Sequence, residues 1–254
     1  MSSESGVAAK LDPKKDSQLS ASGYGLDTSI SDGAVWQSAF NPAVPSGVIR
    51  LQTGTNPPET CKTEYFEPPL LADGKNYAAF HNRGLMVDSK GVAWVSFAGN
   101  GRLGRLDINK CKVRSGPAAT GQHCPEGWEF HQVPGPEVKG GAAFSADYSY
   151  LMPMDLFDTT GLGKDVPIVL GSNSDSLLAF NDQTKKWTIM RVPYPIGFHA
   201  RSADGRIDDP HAGWKGKGTY ASYASGPVWT QEGGEDASGP QMVKFQFRPN
   251  PLAY

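Results

Sequence analysis

The sequence has no long apolar run. Its longest, such as Val166 to Leu170, fall far short of the ~20 residues that cross a bilayer as a helix, which excludes a helical membrane span. It has no excess of charge of either sign. With 24 Lys and Arg against 26 Asp and Glu, the net charge of -2 argues against nucleic acid or an anionic membrane surface as partner. No Cys-x-x-Cys pair occurs among its three cysteines, so zinc chemistry is set aside. Also missing are a Gly-x-Ser-x-Gly elbow, a phosphate-cradling glycine loop and a Cys-His nucleophile pattern, and with them the hydrolase and nucleotide-binding classes they mark. Turn formers are abundant instead. The 30 Gly and 20 Pro make up about a fifth of the 254 residues, against roughly 12% in an average protein, which favours short strands over helices. A hydrophobic content of 38% suffices for one large β domain or two small ones.

Residues 1–23 are Ser, Lys, Asp and Ala with almost no apolar content, too little to offset the entropy of ordering, and read as a disordered tail. They contain no apolar signal-peptide core. The protein is therefore either cytoplasmic or starts naturally upstream of Met1, in which case it is periplasmic or secreted. Cys111 and Cys124 bracket a Gly/Pro/Ser loop that can bring its ends together, and a bridge there would contribute about 3 kcal/mol in the loop-entropy model. The alternative is a pair of free thiols in a reducing cytosol. Cys61 is left unpaired either way.

One unit recurs: a Gly-led apolar-Trp-apolar strand, a Gly-containing turn, then an apolar strand. It is clearest where Gly84 to Asp88 leads to Gly91-Val92-Ala93-Trp94-Val95, then Gly101-Arg102-Leu103-Gly104-Arg105-Leu106-Asp107, then Trp128 to Val133. A first copy spans Ser31 to Pro69, a third Val166 to Pro193, and a weaker fourth holds Gly218 to Tyr223 and Gln241 to Pro249. Four short strands per repeat are the signature of propeller blades. The expectation is an all-β β-propeller of four-stranded antiparallel blades, with about four blades over 24–70, 81–136, 165–195 and 197–250 and an insertion at 137–164. The insertion reads as a lid, an inter-blade segment or a short helix around Tyr148 to Phe157.

The string GLMVDSKGVAWVSFAGNGRLGRLDINKCKV resembles the blade repeat of the streptogramin B lyase-like propellers, best over residues 81–107. The resemblance implies a ring of about seven blades. A four-blade chain would then be part of a larger ring, or would complete one by self-association or with blades from another chain, since an open ring leaves strand edges unpaired. It also implies catalytic histidines and a divalent metal held with carboxylate help near the channel, and His81 and His199 occupy comparable places.

Two His-x-Arg motifs carry the candidate chemistry. His81-Asn82-Arg83 and His199-Ala200-Arg201 each precede a strand, where residues i and i+2 point the same way. Two such pairs could converge on an anion, with Arg83 and Arg201 binding it bidentately, Asn82 assisting, and His81 and His199 transferring protons. A second cluster, Asp204 to Lys215, offers Asp204, His211 and Trp214 as ligand-binding groups and Asp208 and Asp209 as oxygen ligands. A divalent cation, magnesium or calcium, is the one cofactor these residues leave open. Three readings stand: a propeller module that binds a small molecule or a protein on one face, a lyase acting on an anionic or lactone-containing substrate, and a lactonase-like hydrolase using Asn173, Asp175 and Asp204.

Overall fold

Short stretches of β-branched and aromatic residues, each closed by a Gly-, Asn- or Asp-containing turn, become the strands of four antiparallel sheets. The structure is a computed structural model that describes residues 22–40, 44–138, 141–192, 200–222 and 242–248. The first blade is β1 (Ser22–Thr28), β2 (Val35–Phe40), β3 (Val48–Gln52) and β4 (Lys62–Phe66), paired in that order. The second is β5 (Asn82–Val87), β6 (Ala93–Phe97), β7 (Arg102–Leu106) and β8 (Trp128–Gln132). A hairpin, β9 (Glu137–Val138) and β10 (Gly141–Ser145), intervenes before the third blade, β11 (Met154–Asp155), β12 (Val166–Gly171), β13 (Ser176–Asn181) and β14 (Lys186–Arg191). The fourth has three strands among the described residues, β15 (Ala203–Ile207), β16 (Lys217–Ser222) and β17 (Met242–Phe245). The protein is a four-bladed β-propeller, and among the described residues no helix could cross a membrane.

Blades join face to face through three apolar clusters. Trp36, Val48 and Phe66 of the first blade pack with Leu85, Val95 and Phe97 of the second. Trp94 and Leu103 pack with Met154, Val169 and Phe180 of the third, and Leu170 and Ala179 with Ala221, Val243 and Phe245 of the fourth. Among the described residues no cluster joins the fourth blade to the first. Trp36 and Trp94, both 1% exposed, are inter-blade packing.

The first strand of each blade runs beside its neighbour's along the central axis, and glycine permits the approach. A Cβ at Gly25 of β1 would lie 2.5 Å from the Leu85 nitrogen, and one at Gly84 of β5 would lie 2.4 Å from the Met152 nitrogen. Both strands break register there, between Gly23 and Leu26 and between Asn82 and Leu85. A serine on the second strand bonds the freed amide: Gly25 N donates to Ser38 Oγ at 2.7 Å and Gly84 N to Ser96 Oγ at 3.0 Å. Ser222 accepts likewise from the amides of Arg201 and Ser202.

Several sequence expectations change. The first and third blades begin earlier than expected, at Ser22 and Met154, and the first strand of the fourth begins later, at Ala203, because these axial strands carry no Trp-centred pattern. Ser22 and Gly23 belong to β1, not to the tail, whose residues 1–21 lie outside the described residues. Segment 137–164 holds the inter-blade hairpin of β9 and β10 and also supplies β11, the axial strand of the third blade. Residues 148–157 form no helix, since their backbone groups pair across blades, with Ile168 N bonding Pro153 O within the third and Leu151 N bonding Arg201 O at the start of the fourth. Cys111 and Cys124 form a disulfide with Cα atoms 4.9 Å apart, and Cys61 is a free, exposed thiol.

Candidate functional site at the channel mouth

Because the axial strands all run the same way, the residues that start them gather at one end of the channel. Tyr24 comes from the start of β1, Arg83 from the start of β5, Tyr148 and Tyr150 from the segment entering β11, and Arg201 from just before β15. Each blade contributes.

The Arg83 guanidinium lies over Phe40 at 4.2 Å, Tyr24 at 4.7 Å, Tyr148 at 5.2 Å and Tyr150 at 5.8 Å from the ring centroids. Arg201 stacks on Tyr150 at 4.8 Å, so one tyrosine touches both cations. Neither arginine reaches a carboxylate among the described residues, and Arg83 Nε is buried without a hydrogen-bond partner. Elsewhere Arg50, Arg105 and Arg114 all form ion pairs. Aromatic faces stabilise a guanidinium from above and below and leave its edge donors available in the plane.

His81 shares two of these rings, 5.3 Å from Phe40 and 6.0 Å edge-on from Tyr148, and its Nε2 is 3.4 Å from the Tyr148 hydroxyl. It holds a left-handed backbone with φ 58, tied by its amide to Ser46 Oγ at 2.8 Å and by its carbonyl to Ala98 N. Strain of this kind, held in place by neighbours, gathers at functional sites. Burial, with the Arg83 charge as a smaller cause, lowers its pKa below the ordinary histidine value, leaving a neutral imidazole at neutral pH. Burial likewise raises Tyr148 above the ordinary phenol range, so that group is a protonated donor.

Other expected residues sit elsewhere. Asn82 is fully buried and ties β5 to the first blade through Nδ2 and Gly47 O at 2.6 Å, so it faces away from the mouth. His199 lies outside the described residues. Asp204 is exposed on β15 and bonds the Gly205 amide. Asp208, Asp209, His211 and Trp214 follow β15 at the opposite end of the blade, about 20 Å from Arg201 at ~3.3 Å per residue, and so do not join the mouth. Of the two aspartates read as oxygen ligands, Asp208 is held by Tyr220 Oη and Lys244 Nζ, both at 2.7 Å, and Asp209 closes a turn on the His211 amide. Asn173 and Asp175 form the turn between β12 and β13, with the Asn173 amide on the buried Asp147 at 2.8 Å. Among the described residues, one group of three has metal-ligand character, Glu129, His131 and Asp182. Lys185 Nζ already lies between its carboxylates, 2.9 Å from Glu129 and 2.6 Å from Asp182.

Sequence reasoning missed Tyr24, Phe40, Tyr148 and Tyr150. A signal was present in the spacing Trp36-x-Ser38, Trp94-x-Ser96 and Tyr220-x-Ser222, which marks second strands and so locates the axial strand before each.

These features define a class: a propeller whose axial strand starts form a basic, aromatic channel mouth. No family model matches the sequence, and no curated protein sequence matches it. The chain is similar in structure to virginiamycin B lyase from Staphylococcus aureus, with 12% identity, TM-score 0.42, and 90% of this chain and 71% of that one covered. A streptogramin B lyase structure matches at 11%, TM-score 0.42, with 90% and 70% covered. So does a putative 6-phosphogluconolactonase from Bacteroides uniformis, at 11%, TM-score 0.38, with 88% and 67% covered.

Proposed function

We propose that the protein is a ligand-binding propeller that takes a small anionic molecule at its channel mouth. The observation that carries this reading is the placement of Arg83 and Arg201 against the same ring, Tyr150, both without a carboxylate partner among the described residues. An anion there would receive in-plane donors from two guanidinium groups, a hydroxyl donor from Tyr148, and aromatic walls for its organic portion. The Cys111–Cys124 disulfide supports a location in an oxidising compartment, periplasmic or extracellular.

A second reading, lyase-like proton transfer, rests on the neutral His81 beside the Tyr148 hydroxyl. The binding reading is preferred because no described carboxylate joins the mouth to share a metal or complete a proton relay.

Calorimetry with inorganic phosphate, citrate and benzoate tests the binding reading. At least one should bind, weakening as salt rises, and Arg83→Met and Arg201→Met should each weaken it about tenfold or more, at ~1.4 kcal/mol per tenfold. Saturable binding that neither substitution alters would overturn it, as would no binding at all.

A further inference from the structure

A second cavity opens on the same end of the molecule, away from the channel. It lies where the connection from β4 to β5 meets the turn between β6 and β7, and its volume is about 570 Å³, within the usual range for small-ligand pockets. Leu71, Phe80 and Phe144 line it together with Val44 and Tyr77. Val44 and Leu71 are about half exposed and Phe144 is 40% exposed, an apolar group larger than scattered surface residues require.

Its polar groups are few and unmatched. Asn100, only 4% exposed, donates through Nδ2 to Ala78 O at 3.0 Å, but its Oδ1 is buried with no partner. Such an acceptor is destabilising unless a donor reaches it. Arg102, two residues on, has a buried Nε without a partner and makes no ion pair or side-chain hydrogen bond among the described residues. Lys75 adds a second cation at the rim, and among the described residues no carboxylate lines the cavity.

We propose that this cavity binds a small amphipathic carboxylic acid bearing an N–H donor next to its carboxylate, with the N–H on Asn100 Oδ1, the carboxylate on Arg102 and Lys75, and an apolar body against Leu71, Phe80 and Phe144. Each preference is set by a separate feature: two cations with no ion pair among the described residues favour an anion, a buried orphan acceptor favours a donor, and exposed apolar walls favour an apolar body. The site is distinct from the channel mouth and shares no residue with it.

N-acetyl-L-phenylalanine supplies all three groups and is the probe. Titration should give saturable binding that falls about tenfold or more with N-acetyl-L-phenylalaninamide, which lacks the carboxylate, and severalfold with 3-phenylpropionate, which lacks the N–H. Arg102→Gln, with its fold checked by circular dichroism, should lose the preference for acid over amide. Asn100→Asp, which keeps the shape and turns the acceptor into an anion beside the carboxylate, should also weaken the acid. Equal binding of acid and amide would overturn the proposal. So would unchanged binding in Arg102→Gln, or binding abolished by Arg83→Met and indifferent to Arg102→Gln, which would assign the probe to the channel mouth.

Discussion

Three histidines at the residue scale share one electrostatic condition. Burial is the leading cause that lowers the pKa of His81, His123 and His131, and for the latter two it outweighs nearby glutamates. The unfolded chain therefore takes up these protons near the ordinary value of about 6.5, while the folded chain resists them until lower pH. Stability is fully present above that value and falls as pH drops through it. Urea denaturation between about pH 7 and 5 should show a declining midpoint, with a shallower decline in His131→Gln, where Phe180 packs on the ring at 4.2 Å. A flat profile would contradict the assignment. Asp147 acts in the opposite sense, since burial raises its pKa and protonation near the carboxylate range costs the folded state less. The sequence singled out His81, Arg83 and Arg201 through its His-x-Arg motifs, while His199 lies outside the described residues. It did not single out the four aromatic residues around Arg83, because nothing local distinguishes a channel tyrosine from one in a turn.

At the element scale, the second strands organise the site. Ser96 on β6 accepts from Gly84 N where β5 bulges, and that bulge aims Arg83 at the mouth. Ser96→Ala should leave the amide unsatisfied at a cost of about 1–3 kcal/mol, measured by chemical denaturation, and should weaken anion binding at the mouth as well. An unchanged midpoint would mean that water replaces the hydroxyl. The middle strands were readable because Trp-centred apolar runs alternate with Gly turns. Of the axial strands only β5 was readable: β1 and β15 are mostly exposed and polar, β11 has only two residues, and each of these exists because a neighbour pairs with it.

For the whole molecule, the apolar clusters among the described residues join each blade only to its sequence neighbours, so stability there is distributed as in a short repeat array. The second blade is covered on both faces, and every residue of β6 is buried. The fourth packs only on the third among the described residues, and Ile207 and Met242 on its strands are exposed. Amide hydrogen exchange should be slowest in β6 and β13 and much faster in β15 to β17. Uniform protection across the blades would instead indicate that something closes the ring between the fourth blade and the first.

The sequence by itself determined the β class, the repeating unit and the middle strands of every blade, since each depends on side-chain alternation or turn chemistry; it brought Cys111 and Cys124 within reach of one another, and the structure decided that they pair. Tertiary structure alone decided which strand starts share the channel end, that Asn82 turns inward while Arg83 turns to the mouth, and that Asp208 is spent on Lys244. The physical reason is distance along the chain: Tyr24, Arg83, Tyr150 and Arg201 belong to four separate blades, and only blade-on-blade packing, with glycine at the axis, brings them within reach of one ligand.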